Sequence, residues 1–119
     1  MGTILVVDDS PTALKLVSKT LATTGHHIIT AADGEEAVHK ALTEHPDLMV
    51  LDVVMPNKNG YQVCRQLKTN AQTKDITIIL LTSKDQQSDR FWGMKQGADA
   101  YLTKPCDDAE LLATVAKFL

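Results

Sequence analysis

The chain is poor in the features that would settle its class at a glance. It holds only two cysteines, Cys64 and Cys106, far apart and with no C-x-x-C pairing. That argues against a disulfide scaffold or a zinc ribbon and makes a reducing cytoplasm the simpler expectation. No apolar run approaches the length of a spanning helix, and no basic N-terminal region precedes an apolar stretch. Positive charge comes as scattered single residues and the net charge is −3, so direct nucleic-acid binding is not expected. The phosphate-cradling pattern G-x-x-x-x-G-K-[ST] is missing, which excludes nucleotide triphosphatases of that type. Repeats, low-complexity tracts and linker-like stretches are also missing. What is present is ordinary globular composition: 119 residues, 44% hydrophobic and 23% charged. This is one domain's length, expected to span residues 1–119. At this size about two-thirds of the unfolded surface is buried, enough for a core without disulfides or a structural metal.

Short apolar runs alternate with amphipathic segments along the chain. Residues 4–7 form a β-branched run that stops at Asp8-Asp9. Ser10-Pro11 then reads as N-cap and first helical residue, with Leu14, Val17 and Leu21 at helical spacing. Residues 27–31 form a second strand, and Asp33 caps a helix with Ala37, Val38, Ala41 and Leu42 on one face. The run 48–51 ends at Asp52. A turn-rich stretch, 56–60, leads into a helix carrying Val63, Cys64 and Leu67. The fourth run, 77–81, is closed by Thr82. The helix after it is expected to start near Asp85 and to end at Gly97. A fifth strand at 100–103 ends at Lys104-Pro105, and Asp107 or Asp108 caps a last helix carrying Leu111, Leu112 and Val115. Continuous apolar strands alternating with amphipathic helices predict a doubly wound parallel sheet covered on both faces, a (βα)5 three-layer sandwich.

Such sheets bind ligands at the carboxyl ends of their strands, where the winding reverses. Those ends carry Asp8 and Asp9, Asp52, Thr82 and Lys104. If the strand order is 2-1-3-4-5, the three aspartates converge in one crevice beside a hydroxyl and an ammonium. Carboxylates so close repel unless a cation intervenes, and a hard, oxygen-rich site suits Mg²⁺. An aspartate in that company can act as a nucleophile, with lysine and threonine contacting the transferred group. The inferred chemistry is phosphoryl transfer onto a carboxylate.

Plainer readings exist for each part taken alone. A pair of aspartates after a strand is commonly a turn or a helix cap. Cys64 reads as core packing and Cys106 as an inert small residue near the site. The four histidines lack ligand spacing and read as surface residues. Gly93 inside a helix costs roughly 1 kcal/mol relative to alanine, so close helix–sheet approach is its expected reason. An aspartate-nucleophile phosphohydrolase would use the same ingredients, but its D-x-D pair is missing from the first strand end. A flavin-mononucleotide binder would need a phosphate-cradling first loop, which Asp8-Asp9 would repel.

The motifs V-V-D-D-S at 6–10, L-D-V-V-M-P at 51–56, N-G at 59–60, L-T-S at 81–83, G-A-D-A-Y at 97–101 and T-K-P at 103–105 occur in order. With them the chain resembles the response-regulator receiver domains of two-component signalling along essentially its whole length. The stretch 92–98 is further similar to stand-alone regulators of type IV pilus twitching motility and phototaxis. The resemblance implies a flavodoxin-like (CheY-like) fold with order 2-1-3-4-5 and Asp52 as phosphoacceptor. It implies Mg²⁺ on Asp9, Asp52, the Val54 carbonyl and, through water, Asp8. Lys104 and Thr82 would contact the phosphoryl group, and Tyr101 would be a switch aromatic that turns inward as Thr82 moves. Lys104-Pro105 would be a cis peptide.

The implied partners are a sensor histidine kinase as phosphohistidine donor and a downstream protein meeting the helix-four, strand-five, helix-five face. The chain would be a monomer or a phosphorylation-dependent dimer. It would be a switch that catalyses its own phosphorylation and dephosphorylation rather than a turnover enzyme. A receiver cut from a larger regulator is the alternative. Two positions depart from the commonest pattern: Val54 and Lys84 cannot orient an attacking water as a carboxylate or amide would. On helix four, Phe91 and Met94 are expected on the sheet-facing stripe with Gln87 one turn earlier. Trp92, rotated about 100° from Phe91, falls among Ser88, Asp89 and Gln96 and is expected to be exposed as a partner contact.

Overall fold

Each apolar run becomes a strand because both of its faces find a layer of helices to pack against. The computed structural model describes residues 2–119; Met1, the head of the expected domain, lies outside the described residues. In chain order the elements are β1 (Thr3–Val7), α1 (Pro11–Ala22), β2 (His27–Ala31), α2 (Gly34–Glu44), β3 (Leu48–Leu51), α3 (Gly60–Lys68), β4 (Thr77–Thr82), α4 (Gln87–Lys95), β5 (Ala100–Thr103) and α5 (Asp108–Phe118). All strand pairs are parallel and the order is β2-β1-β3-β4-β5, as the sequence led us to expect.

Strand alternation splits the core in two. Leu5, Val7, Met49, Leu51, Ile78, Leu80 and Tyr101 face α2, α3 and α4. Ile4, Val6, Leu48, Val50, Ile79, Leu81 and Leu102 face α1 and α5, meeting Leu21, Leu111 and Val115. Cys64 lies in the first layer and Cys106 packs against the second, so the sheet separates the two thiols. Asp107, not Asp108, caps α5 by accepting from the Glu110 amide at 2.8 Å.

Helix α4 sits differently from its sequence reading. Gly93 and the following Gln96 are buried, whereas Phe91 and Met94 are 64% and 45% exposed and Gln87 lies on the outer side. The expected stripe is therefore on the solvent face. The reason is steric: a Cβ on Gly93 would come within 2.8 Å of the Tyr101 ring and 2.9 Å of Leu80. The helix seats on its glycine, and that close approach turns its large apolar side chains outward. Trp92 is 53% exposed, in keeping with its polar neighbours.

The start of α3 is equally tight. Gly60 donates its amide to the Val53 carbonyl at 2.9 Å, and a Cβ there would fall 2.2 Å from the Asp52 carbonyl oxygen. The asparagine before it, Asn59, closes a capping box with Gln62. Replacing Gly60 by alanine relieves unfolded-chain entropy by at most about 1 kcal/mol. Overpacking against immovable backbone costs about 1–3 kcal/mol, so destabilisation wins. Gly60→Ala is expected to lower the urea midpoint at unchanged m; an unchanged midpoint would contradict the close contact.

Candidate functional site

The backbone ladder runs one residue past the strands at the carboxyl edge and carries the site with it. Asp8 donates its amide to the Ala31 carbonyl at 3.2 Å, and Asp52 donates to Val7 at 3.0 Å. The Lys104 amide reaches the Thr82 carbonyl at 2.8 Å. Each side chain then makes its own turn. Asp8 Oδ1 accepts from the Ser10 amide at 2.9 Å, and Asp52 Oδ1 accepts from Val54 at 3.3 Å. Thr82 Oγ1 accepts from Lys84 at 3.4 Å. Aspartate and threonine favour strand exits because their oxygens reach an amide two residues on. The same preference holds these oxygens at fixed places in the crevice.

Lys104 closes the arrangement. Its Nζ donates to Asp8 Oδ2 at 2.7 Å and to Asp52 Oδ2 at 3.4 Å, from the far side of β4. Both carboxylates are nearly buried, at 4% and 8% exposure, while Asp9 is exposed. Burial pushes the Lys104 ammonium down, but the Asp8 hydrogen bond and the Asp52 charge outweigh it and hold the ammonium above its ordinary range. While the two carboxylates are ionised, the lysine's contribution to the fold is fully present below the usual lysine pKa and is lost as pH rises through the raised folded value.

Oxygens of Asp8, Asp9 and Asp52 lie within 4.8 Å of one another, the one carboxylate cluster of this kind among the described residues. Three anionic oxygen donors beside one ammonium leave uncompensated negative charge, and a hard divalent cation such as Mg²⁺ fits that donor set better than a thiophilic metal. Thr82 is fully buried at the end of β4, beside this edge. Val54 is half-exposed, and the contact it makes with Asp52 runs through its amide. The Lys104-Pro105 peptide is cis. Cys106 is half-buried with its Sγ 3.4 Å from Glu110 Oε1, and burial pushes its thiol up to about 11, which leaves it protonated at neutral pH.

Tyr101 stands one layer behind this edge. Its ring is buried, its hydroxyl donates to the Lys84 carbonyl at 2.8 Å, and Arg90 stacks over the ring at 5.2 Å. The ring already points inward, where the sequence had it turning from outside. Trp92 lies away from the carboxylates on α4. The Lys84 carbonyl and the Tyr61 hydroxyl, which meet Tyr101, drew no notice in the sequence because nothing in their spacing joins positions so far apart.

The model of the response regulator receiver domain matches residues 4–116. Protein PilH of Pseudomonas aeruginosa is 45% identical over 97% of this chain and 95% of its own length. The chain spans about half the length of several other curated relatives. Among solved structures, chemotaxis protein CheY4 of Vibrio cholerae superposes with a TM-score of 0.93 at 34% identity, over 100% of this chain and 99% of that one. A sensor histidine kinase receiver domain from Pseudomonas aeruginosa, with a magnesium ion coordinated in its active-site cleft, superposes at 0.90 and 29% identity, over 98% and 96%.

The electrostatics of the cluster give a direct test. Among the described residues the Asp9 side chain makes no hydrogen bond, so replacing it by asparagine removes repulsion and little else. In metal-free buffer Asp9→Asn is expected to raise the urea midpoint by a few tenths molar. Added Mg²⁺ should raise the wild-type midpoint by mass action and the variant's less. Wild-type midpoints that are equal with and without saturating Mg²⁺ would contradict the cluster.

Proposed function

The chain belongs to the response regulator receiver domain family, and from that premise we propose that it is a phosphorylation-dependent switch whose phosphoacceptor is Asp52. The observation that carries this reading is the meeting of Asp8, Asp9, Asp52 and Lys104 at one sheet edge. A carboxylate oxygen of Asp52 attacks the phosphorus of a phosphohistidine on a sensor kinase. The P–N bond breaks, the P–O bond to Asp52 forms, and the kinase imidazole leaves with a proton. Asp9, Asp52, the Val54 carbonyl and, through water, Asp8 would hold Mg²⁺, which would supply positive charge for the phosphoryl oxygens. Lys104 moves from its two carboxylates onto the transferred group as a mobile point charge. The Thr82 hydroxyl donates to a phosphoryl oxygen once it is in place.

Such a protein turns over no external substrate beyond its own phosphorylation and dephosphorylation. Val54 is apolar and half-exposed, and Lys84 carries an exposed ammonium, so neither offers an oxygen to align an attacking water. We read the chain, residues 1–119, as one receiver domain acting in the cytoplasm, as monomer or phosphorylation-dependent dimer. The output face is α4, β5 and α5, where Arg90, Met94, Tyr101, Glu110 and Lys117 line a cavity of about 440 Å³. Exposed Phe91, Trp92 and Met94 give that side of the domain the aromatic and thioether surface typical of interface anchors. Similarity to PilH across nearly the whole of both chains supports a place in pilus-based motility. A second reading, a receiver module within a longer regulator, is favoured by the relatives that run to about twice this length.

Mg²⁺ with a small acyl phosphate should add one hydroxylamine-labile phosphoryl group to the wild type and none to Asp52→Asn. Trp92, the one tryptophan, should change its emission on phosphorylation in the wild type alone. Wild-type labelling of Asp52→Asn would overturn the assignment. A Trp92 signal identical before and after phosphorylation would remove the coupling to α4.

A further inference from the structure

The chain holds two tyrosines, and the fold brings their hydroxyls to 3.3 Å. Tyr61, the second residue of α3, also lies 3.1 Å from the Asp89 carbonyl in α4. The Tyr101 hydroxyl lies 2.8 Å from the Lys84 carbonyl in the loop before α4. Two phenolic protons serve these three contacts, since each hydroxyl has one proton and two lone pairs. The Lys84 carbonyl accepts from no backbone amide among the described residues, so the Tyr101 proton belongs there. Asp89 lies in α4, where the helical ladder supplies its carbonyl with a donor. The Tyr61 proton lies between the Asp89 carbonyl at 3.1 Å and the Tyr101 oxygen at 3.3 Å, a three-centre arrangement that ties both to one hydroxyl.

We propose that Tyr61 is a positioning residue: a hydroxyl latch that holds Tyr101 inward in the unphosphorylated protein and so sets how far the output face is preformed. This rests on the switch reading above and adds a second route to it. Tyr61 follows Gly60, whose Cα sits against the Asp52 and Val53 backbone with no room for a side chain. Displacement of the Asp52 loop is thereby passed to the start of α3 and on to Tyr101, independently of Thr82.

Because the chain has no third tyrosine, fluorotyrosine labelling gives two ¹⁹F resonances, and Tyr61→Phe leaves that of Tyr101 alone. Exposure of Tyr101 is read from broadening by a neutral soluble nitroxide at neutral pH without metal. Loss of one neutral hydrogen bond should raise the outward population about fivefold in Tyr61→Phe. Mg²⁺ with beryllofluoride should draw the ring back by way of Thr82. An identical Tyr101 resonance and broadening in wild type and Tyr61→Phe would overturn the latch. So would a shift seen only in Tyr61→Leu, which would assign the effect to ring packing instead of the hydroxyl. Failure of Mg²⁺ with a small acyl phosphate to phosphorylate Asp52 would overturn the switch reading itself, whatever Tyr61→Phe shows.

Discussion

One long side chain, that of Lys104, ties together strand ends that sequence holds far apart. It lies 96 positions from Asp8 and 52 from Asp52, and reaches both across the end of β4. Two nearly buried carboxylates on adjacent strands would be costly without a cation between them. The ammonium meets that need by donating to both. The rest of the architecture serves this meeting. Parallel pairing puts every strand's carboxyl end on one edge, and the reversal of winding between β1 and β3 leaves that edge open.

Two glycines then decide how the edge communicates with the surface. At Gly60 the start of α3 is pressed onto the Asp52 backbone, and at Gly93 the middle of α4 is pressed onto Tyr101. Neither contact has room for a methyl group, so each pair of elements is packed backbone to neighbour at that point. Tyr101 is enclosed by Gly93, Arg90, Lys84 and Tyr61, that is, by α3, α4 and the loop between β4 and α4. The apolar side chains of α4 that the glycine turns outward are Phe91 and Met94, beside the exposed Trp92.

Much of this was legible before any coordinates. Continuous apolar runs ending in Asp, Thr or Lys mark buried parallel strands and their functional ends, because the residues that stop a strand are the ones that bond the next turn. The caps Ser10 and Asp33 follow from the same local chemistry. The face of α4 was not legible. Phe91 and Met94 have core-like spacing, and only a three-dimensional contact between Gly93 and Tyr101 reverses it. Tyr61 went unseen for a related reason: its meaning depends on a partner 40 positions away in the chain. Local rules find strand ends and caps; they do not find which helix face a glycine has claimed.

The account stands or falls on where the phosphoryl group sits. Borohydride reduction converts an aspartyl phosphate to homoserine, so peptide mass mapping of the reduced, acyl-phosphate-treated protein locates it directly. Homoserine at position 52 alone, appearing only when Mg²⁺ is present, is the expected result. Homoserine at Asp8, at Asp9 or elsewhere in the chain would contradict it.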